Sequence, residues 1–167
     1  MSITVQVEGT DGSEWPVEYR WDRDTGILTA SSAAPAVGDG VSGSVEITGA
    51  DGSWLILDLA SGSIRGVEVA VWPDVRTVRT LGPPNEVRAG RLTIPHAEPD
   101  ARVASFEVPT LLVAETDMAE RTVHFRVGRA KALQTVRIAR DILIEVDATD
   151  AIAGVWLLNV PPHPDDV

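Results

Sequence analysis

Residues 54–73, WLILDLASGSIRGVEVAVWP, decide the fold, because a related stretch returns as residues 142–161, ILIEVDATDAIAGVWLLNVP. The two stretches align without a gap, and seven of the twenty aligned positions are identical. The identical pairs are Leu55/Leu143, Ile56/Ile144, Ala60/Ala148, Ile64/Ile152, Gly66/Gly154, Val67/Val155 and Pro73/Pro161. Self-similarity of this kind indicates a duplicated unit. We therefore expect two repeats, over about residues 1–80 and 85–162.

Each stretch has the pattern of a β-hairpin. Residues 54–59 form an apolar run, residues 60–63 are small, and the apolar residues that follow alternate with others. Two β-branched runs joined by a short turn that contains glycine predict a hairpin. Because residues 54–57 are apolar on both faces, this strand is expected to lie between two layers. Gly66 and Gly154 lie inside the second strand, which indicates a bulge or a close approach of two backbones.

The rest of the chain shows strand-like alternation and no sustained apolar period of 3.6 residues. Residues 3–7 and 17–21 alternate on either side of a turn and predict an opening hairpin. Residues 26–30, GILTA, resemble residues 110–114, TLLVA, which extends the repeat upstream. We therefore predict an all-β, or nearly all-β, fold: a duplicated antiparallel β-sandwich or barrel whose halves are related by a pseudo-twofold axis.

Length and composition favour a single soluble domain. A chain of 167 residues suits one domain, and no long Ser, Gly or Pro linker divides it, so residues 1–167 are expected to form one unit with a flexible acidic tail at 163–167. The chain has no cysteine, and the start MSITVQVEGT lacks the features of a signal peptide. No apolar run is long enough to cross a membrane as a helix. We expect a cytoplasmic protein with no membrane partner.

The net charge of −11 is unevenly distributed. Residues 76–140 contain 11 of the 14 basic side chains, whereas residues 141–167 contain none. Arginines on strands in the basic part, among them Arg126 and Arg137, are candidates for binding an anionic ligand or an acidic partner. Alternatively, they balance the acids of neighbouring strands. Because the chain as a whole is acidic, nucleic acid is not an expected partner.

The histidines offer one candidate metal site. A zinc or iron site needs imidazoles that converge with a carboxylate, and His96 with His124 and a nearby acid is the pair that the sequence offers. The alternative is a solvated loop histidine and a histidine on a strand surface. We predict no cofactor and assign no catalytic residue.

The tryptophans have two interpretations as well. The alternation of side chains along the strands places Trp72 and Trp156 on the corresponding face of their hairpins. Together they are candidates for a ligand-binding or protein-binding surface. Tryptophan residues of this kind also pack in cores and on sheets.

The hairpins resemble the closing segment of a small bacterial domain of unknown function numbered 2283. That segment runs from an apolar strand through Asp and a short Gly-containing turn to Gly-Val/Ile-Glu-Ile. The matching residues are Asp58, Gly66, Val67 and Glu68 in the first copy, Tyr19, Asp24, Ile27 and Leu28 upstream, and Gly154 and Val155 in the second copy, where Trp156 replaces the usual Glu. The resemblance implies a compact β unit. It offers no catalytic residue, because the family has no established activity.

Three functions remain open at this stage. The first is a non-catalytic binding or interaction domain that recognises a protein partner, or self-associates through an edge strand or a Trp-bearing face. The second is a small metal-dependent or acid–base hydrolase that uses His96 and His124 with nearby carboxylates. The third is a binder of a small anionic ligand, with arginine side chains as clamps and residues 31–43 as a lid.

Overall fold

The computed structural model describes residues 3–9, 15–35, 42–95 and 103–166. Within these ranges the protein is nearly all β, as predicted, and the helix consists of one 3-10 turn, Pro164–Asp166. The strands are β1 (Gln6–Gly9), β2 (Val17–Trp21), β3 (Leu28–Ser32), β4 (Ser42–Thr48), β5 (Trp54–Ala60), β6 (Ser63–Val71), β7 (Val75–Thr77), β8 (Arg88–Thr93), β9 (Val103–Pro109), β10 (Leu112–Thr116), β11 (Val123–Val127), β12 (Ala132–Ala139), β13 (Ile142–Asp147) and β14 (Ile152–Leu157).

The strands hydrogen-bond into one sheet that curls into a half-barrel. Its main path runs β7-β10-β11-β14-β13-β12-β8-β6-β5-β4-β9, with β3 and β2 branching from β6 and β1 branching from β8. The connection between β8 and β6 consists of a single pair, Ser63 with Thr93. This narrow connection divides the sheet into two sets of strands.

The two sets have the same strand order and the same strand directions. The first set is β2-β3-β6-β5-β4-β9, and the second set is β10-β11-β14-β13-β12-β8. In each set the first five strands are antiparallel to their neighbours, and the last strand is parallel. The central hairpin of the first set is β5-β6 and that of the second set is β13-β14. The two hairpins therefore have equivalent neighbouring strands in their sets.

Rows of apolar side chains cross each set on its core face, because side chains alternate between the two faces of a strand. In the first set the row is Leu28, Val69, Leu55, Ile47 and Val108, and in the second it is Phe125, Val155, Ile144 and Val136. Every one of these side chains is buried, and both rows belong to one hydrophobic cluster. Trp72 contacts both sets, since its ring centroid lies 5.8 Å from that of Trp21 and 5.7 Å from that of Phe125.

The strand pairing within the two hairpins shows that the gap-free alignment places their first strands one residue out of step. Gly66 pairs with Asp58, and Gly154 pairs with Glu145. The second strands of the hairpins are therefore 88 residues apart, whereas the first strands are 87 residues apart. The extra residue lies in the turn of the second hairpin.

A shift of one residue moves a side chain to the other face of a sheet. Leu55 is fully buried on the core face, whereas Leu143, which the sequence alignment places opposite it, lies beside Trp156 on the other face. The expectation that residues 54–57 lie between two layers is also wrong, because burial alternates along β5 and Trp54 is 36% exposed. The strands that are buried on both faces are β13 and β14.

Two other predicted relationships are corrected by the strand pairing. The predicted opening hairpin does not form: β1 pairs with β8, and β2 pairs with β3 across the turn of residues 22–27. The upstream match between residues 26–30 and 110–114 is wrong as well. Strand β3 lies beside the central hairpin of its set, and β11, not β10, occupies that position in the second set.

The C-terminal segment is held against β2. The Tyr19 hydroxyl donates a hydrogen bond of 2.6 Å to the Leu158 carbonyl, and the Trp21 indole N–H donates one of 2.9 Å to the Pro161 carbonyl. In the predicted acidic tail, the His163 ring packs edge-on against Trp21, and Asp165 forms an exposed ion pair with Arg23. Residue 167 lies outside the described residues.

Candidate functional site

A cleft of about 940 Å³ lies against the second set of strands. Its walls are residues 84–88, the turn of residues 128–131 and the adjoining parts of β11 and β12, with side chains from β13 and β14 completing it. The charged residues that line it are Glu86, Arg88, His124, Arg126, Arg129, Lys131 and Glu145. A volume of this size falls in the range of roughly 300–1,000 Å³ typical of small-molecule sites.

Gly154 determines how the side chains at the base of the cleft are arranged. It lies in β14 between Glu145 of β13 and Arg126 of β11. A side chain at this position would overlap the Glu145 carboxylate, and its Cβ would lie 3.0 Å from the carbonyl oxygen of Phe125. Because Gly154 has no side chain, the Glu145 carboxylate crosses β14 and contacts Nε2 of His124.

His124 is held by acids on both sides. Nε2 contacts Glu145, and Nδ1 lies 3.7 Å from Oε1 of Glu115 on β10. The side chains of His124 and Glu145 are 12% and 9% exposed, so this contact lies largely out of the solvent. Arg126 adds a guanidinium group, 4.0 Å from the Glu115 carboxylate. The network joins two carboxylates to an imidazole and a guanidinium group.

Trp156 covers the imidazole. The two rings are stacked with centroids 4.0 Å apart and planes 10° apart, and Trp156 is 4% exposed. Its indole N–H is buried and has no hydrogen-bond partner among the described residues. A Trp-bearing protein-binding surface therefore does not include Trp156, whose ring is packed over His124 instead.

The remaining basic side chains of the cleft form no ion pair with the acids that the structure describes. In the part of the protein that the structure describes, Arg88, Arg129 and Lys131 have no carboxylate within 4.0 Å. All three residues are exposed. Since Glu145 is already paired with His124, the cleft presents an excess of positive charge in a chain whose net charge is −11.

The structure brings together two of the four residues predicted to bind a ligand. Arg126 lines the cleft, and Trp156 packs over His124 at its base. Arg137 lies on β12 opposite Leu143, outside the lining of the cleft, and donates a hydrogen bond of 3.3 Å to the Arg140 carbonyl. Trp72 lines a different cavity of about 530 Å³, together with Trp21 and His163.

Sequence reasoning did not single out Arg88, Arg129, Lys131 or Glu145 as site residues. The signal for two of them was present, since Arg129 and Lys131 follow Arg126 in the turn after β11. Arg88 reaches the cleft through the parallel pairing of β8 with β12, which the sequence does not reveal. Glu145 gains its position from Gly154 on the adjacent strand.

The predicted metal pair cannot be assembled from the described residues. His96 lies outside them, so its proximity to His124 remains a prediction. Both ring nitrogens of His124 already face carboxylates of the protein. Within the described ranges, no group of three or more His, Asp or Glu side chains is placed to hold a metal ion.

The corresponding face of the first set is acidic. Asp58 lies opposite Gly66, as Glu145 lies opposite Gly154, and Glu68 is on the same face. Burial raises the pKa of Asp58 above its usual range. Burial, and then the charge of Asp58, raise the pKa of Glu68. Both carboxylates are therefore less stable in the folded protein than in the unfolded chain.

The substitution Asp58→Asn is expected to raise the free energy of unfolding at pH 7 and to leave it nearly unchanged at pH 3. A carboxyl group with a raised pKa destabilises the folded state as the pH rises from the unfolded pKa through the folded pKa, because the folded state binds the proton more tightly. The gain is under about 1 kcal/mol, since the group is partly exposed. Urea denaturation between pH 3 and pH 8 measures it, with Asp24→Asn as the exposed control. A gain at Asp58 that does not vary with pH would contradict the argument.

Comparison with known proteins adds no assignment. A scan against protein-family models gave no match, and a search of curated proteins gave none either. The resemblance of the two hairpins to the bacterial domain therefore depends on the residues quoted above. Among the described residues, no helix has the length and the hydrophobicity needed to cross a membrane.

Proposed function

We propose that the protein is a non-catalytic binding domain whose cleft takes a small anionic ligand. The observation that supports this most strongly is a set of basic side chains in the cleft, Arg88, Arg129 and Lys131, that have no carboxylate of the described residues within 4.0 Å. A concave site with charges of one sign concentrates ligands of the opposite sign. Guanidinium groups also form paired hydrogen bonds with carboxylate or phosphate oxygens, which gives such a site selectivity.

The base of the cleft supports a binding role over a hydrolytic one. His124, the histidine predicted to act in catalysis, has Glu145 on one ring nitrogen and Glu115 on the side of the other. A general base must reach the proton that it removes. An imidazole held between two carboxylates and under the Trp156 ring is better suited to fixing the shape of the cleft.

We also propose that the fold is a duplicated sandwich with pseudo-twofold related halves. The shared strand order and the pairing of Gly66 with Asp58 and of Gly154 with Glu145 support this. Duplication explains why the cleft has an acidic counterpart on the first set.

Self-association and a cytoplasmic location remain predictions. Strand β7 ends the main path of the sheet, and its three residues are exposed, so it is an edge that a second copy of the chain could extend.

The predicted lid, residues 31–43, falls partly on residues 36–41, which lie outside the described residues.

Anion binding is expected to depend on the turn that follows β11. Inorganic phosphate and citrate should raise the melting temperature of the protein. The variant Arg129→Ser with Lys131→Ser should bind them about tenfold more weakly, because each of the two exposed charge pairs contributes up to about 1 kcal/mol. Thermal melts and isothermal titration calorimetry measure both effects. Both replaced residues are exposed, so the variant should fold normally.

The matched control is Arg79→Ser with Arg121→Ser, which removes two exposed arginines outside the cleft. It should bind phosphate and citrate as the unmodified protein does. Equal weakening by the control would show that only the overall charge matters. The absence of stabilisation by either anion would reject the proposed function.

A further inference from the structure

A second cavity, of about 280 Å³, lies between the two sets of strands and shares a wall with the cleft. The shared residues are Gly128, Arg129 and Ala130, in the turn between β11 and β12. Arg129 is exposed and lines both spaces. This turn therefore has a basic cleft on one side and the second cavity on the other.

The second cavity is mostly apolar. Eight of its twelve lining residues are aliphatic, and six of these are buried: Val45, Ile47, Val108, Val127, Ala151 and Ile152. Protein cores are normally packed without free space of this size. A space lined by aliphatic side chains is a poor site for water and a good one for an apolar group. Its position next to Arg129 matches a molecule with a charged end and an apolar end.

We infer that the anionic ligand is amphipathic, with its head group held by Arg129, which lines both spaces, and its apolar tail in the second cavity. This inference rests on the proposed function, because it assigns a tail to the anion that the cleft binds. A medium-chain carboxylate has the required chemistry. The carboxylate pairs with the guanidinium group, and the hydrocarbon chain leaves water for the aliphatic walls.

Asp147 gives the ligand a direction. It also lines the second cavity, and the Thr149 hydroxyl donates to its Oδ1 at 2.7 Å, as do the backbone N–H groups of Thr149 at 2.8 Å and Ala151 at 3.0 Å. These hydrogen bonds lower the pKa of Asp147, which keeps it ionised at neutral pH. A carboxylate is repelled from this end of the cavity and attracted to Arg129. The tail, not the head, enters the cavity.

The test compares probes that differ in one part at a time. Isothermal titration calorimetry of the full chain is carried out with octanoate, with acetate, which has the head alone, and with octanamide, which has a neutral head. Octanoate should bind more than about tenfold tighter than acetate, since each buried methylene contributes about fourfold. It should also bind about tenfold tighter than octanamide.

Two variants locate the ligand. Arg129→Gln, at an exposed position, should remove the advantage of octanoate over octanamide. Ala151→Leu should fill the cavity and remove the advantage of octanoate over acetate while leaving phosphate binding intact. If Ala151→Leu does not fold, the three probes with the unmodified protein and with Arg129→Gln decide the question.

The failures of the two proposals are distinguishable. Equal affinity for octanoate and acetate, with phosphate still bound, would overturn the tail site and leave the proposed function standing. Tight octanoate binding that neither variant weakens would place the ligand elsewhere and also overturn the inference. If no anion binds, both proposals fail.

Discussion

Replacing Gly154 by alanine is expected to lower the free energy of unfolding by about 3 kcal/mol. The added Cβ would overlap the Glu145 carboxylate and would lie 3.0 Å from the Phe125 carbonyl oxygen, which is a backbone atom of the neighbouring strand and cannot rotate away. Forcing extra atoms into a packed site costs about 1–3 kcal/mol. Moving Glu145 also separates it from His124, which adds the cost of a buried acid without its partner.

The control for this substitution is Gly82→Ala, because no atom lies within 4 Å of a Cβ added there. It should change stability by less than about 0.5 kcal/mol. Urea denaturation followed by tryptophan fluorescence measures both variants. A Gly154→Ala protein as stable as the control would mean that Glu145 has another position available, and the account of the base of the cleft would be wrong.

The two glycines show what a single sequence can reveal about this fold. Gly66 and Gly154 interrupt strands at matching places, and that pattern predicted a bulge or a close backbone approach. The structure shows the close approach, because a Cβ added at Gly66 would lie 2.9 Å from the Ala30 carbonyl oxygen and one added at Gly154 would lie 3.0 Å from that of Phe125. The all-β fold follows from alternation that is visible along the whole chain. The glycine positions and the alternation are local properties of the chain, so they can be recognised from neighbouring residues in the sequence.

Register was not predictable in the same way. The identical pair Leu55 and Leu143 suggested equivalent positions, but the two residues face opposite sides of the sheet. The extra residue lies in a turn, and a gap-free alignment with seven identities gives no sign of it. The pairing of β1 with β8 was equally unpredictable, because the pairing of distant strands depends on the whole arrangement of the chain rather than on nearby residues.

The site was predictable where its residues are close together in sequence. Arg126 was singled out as a basic residue on a strand, and it lines the cleft with its neighbours Arg129 and Lys131. Trp156 had two interpretations, a binding surface or packing on the sheet, and the structure shows it packed, since β14 is buried along its whole length. Glu145 had no sequence signal, since its role depends on the missing side chain of Gly154.

The free energy of unfolding should change very differently when one or both of His124 and Glu145 are replaced. His124→Leu is expected to cost about 3 kcal/mol, because it leaves Glu145 largely buried without its main partner. When Glu145→Met is added, both polar groups are replaced by apolar ones of similar size. The double variant should recover about 2 kcal/mol relative to His124→Leu, since replacing a whole buried pair by apolar side chains is often nearly neutral.

The comparison with an exposed ion pair isolates the effect of burial. Arg91 and Glu8 form such a pair, with side chains 38% and 47% exposed, and Glu8→Met should cost less than about 1 kcal/mol. Urea denaturation at pH 7 of the single and double variants gives the coupling energy directly. Additive costs for His124→Leu and Glu145→Met would show that the two side chains do not depend on each other. In that case the account of the contact between His124 and Glu145 at the base of the cleft would be wrong.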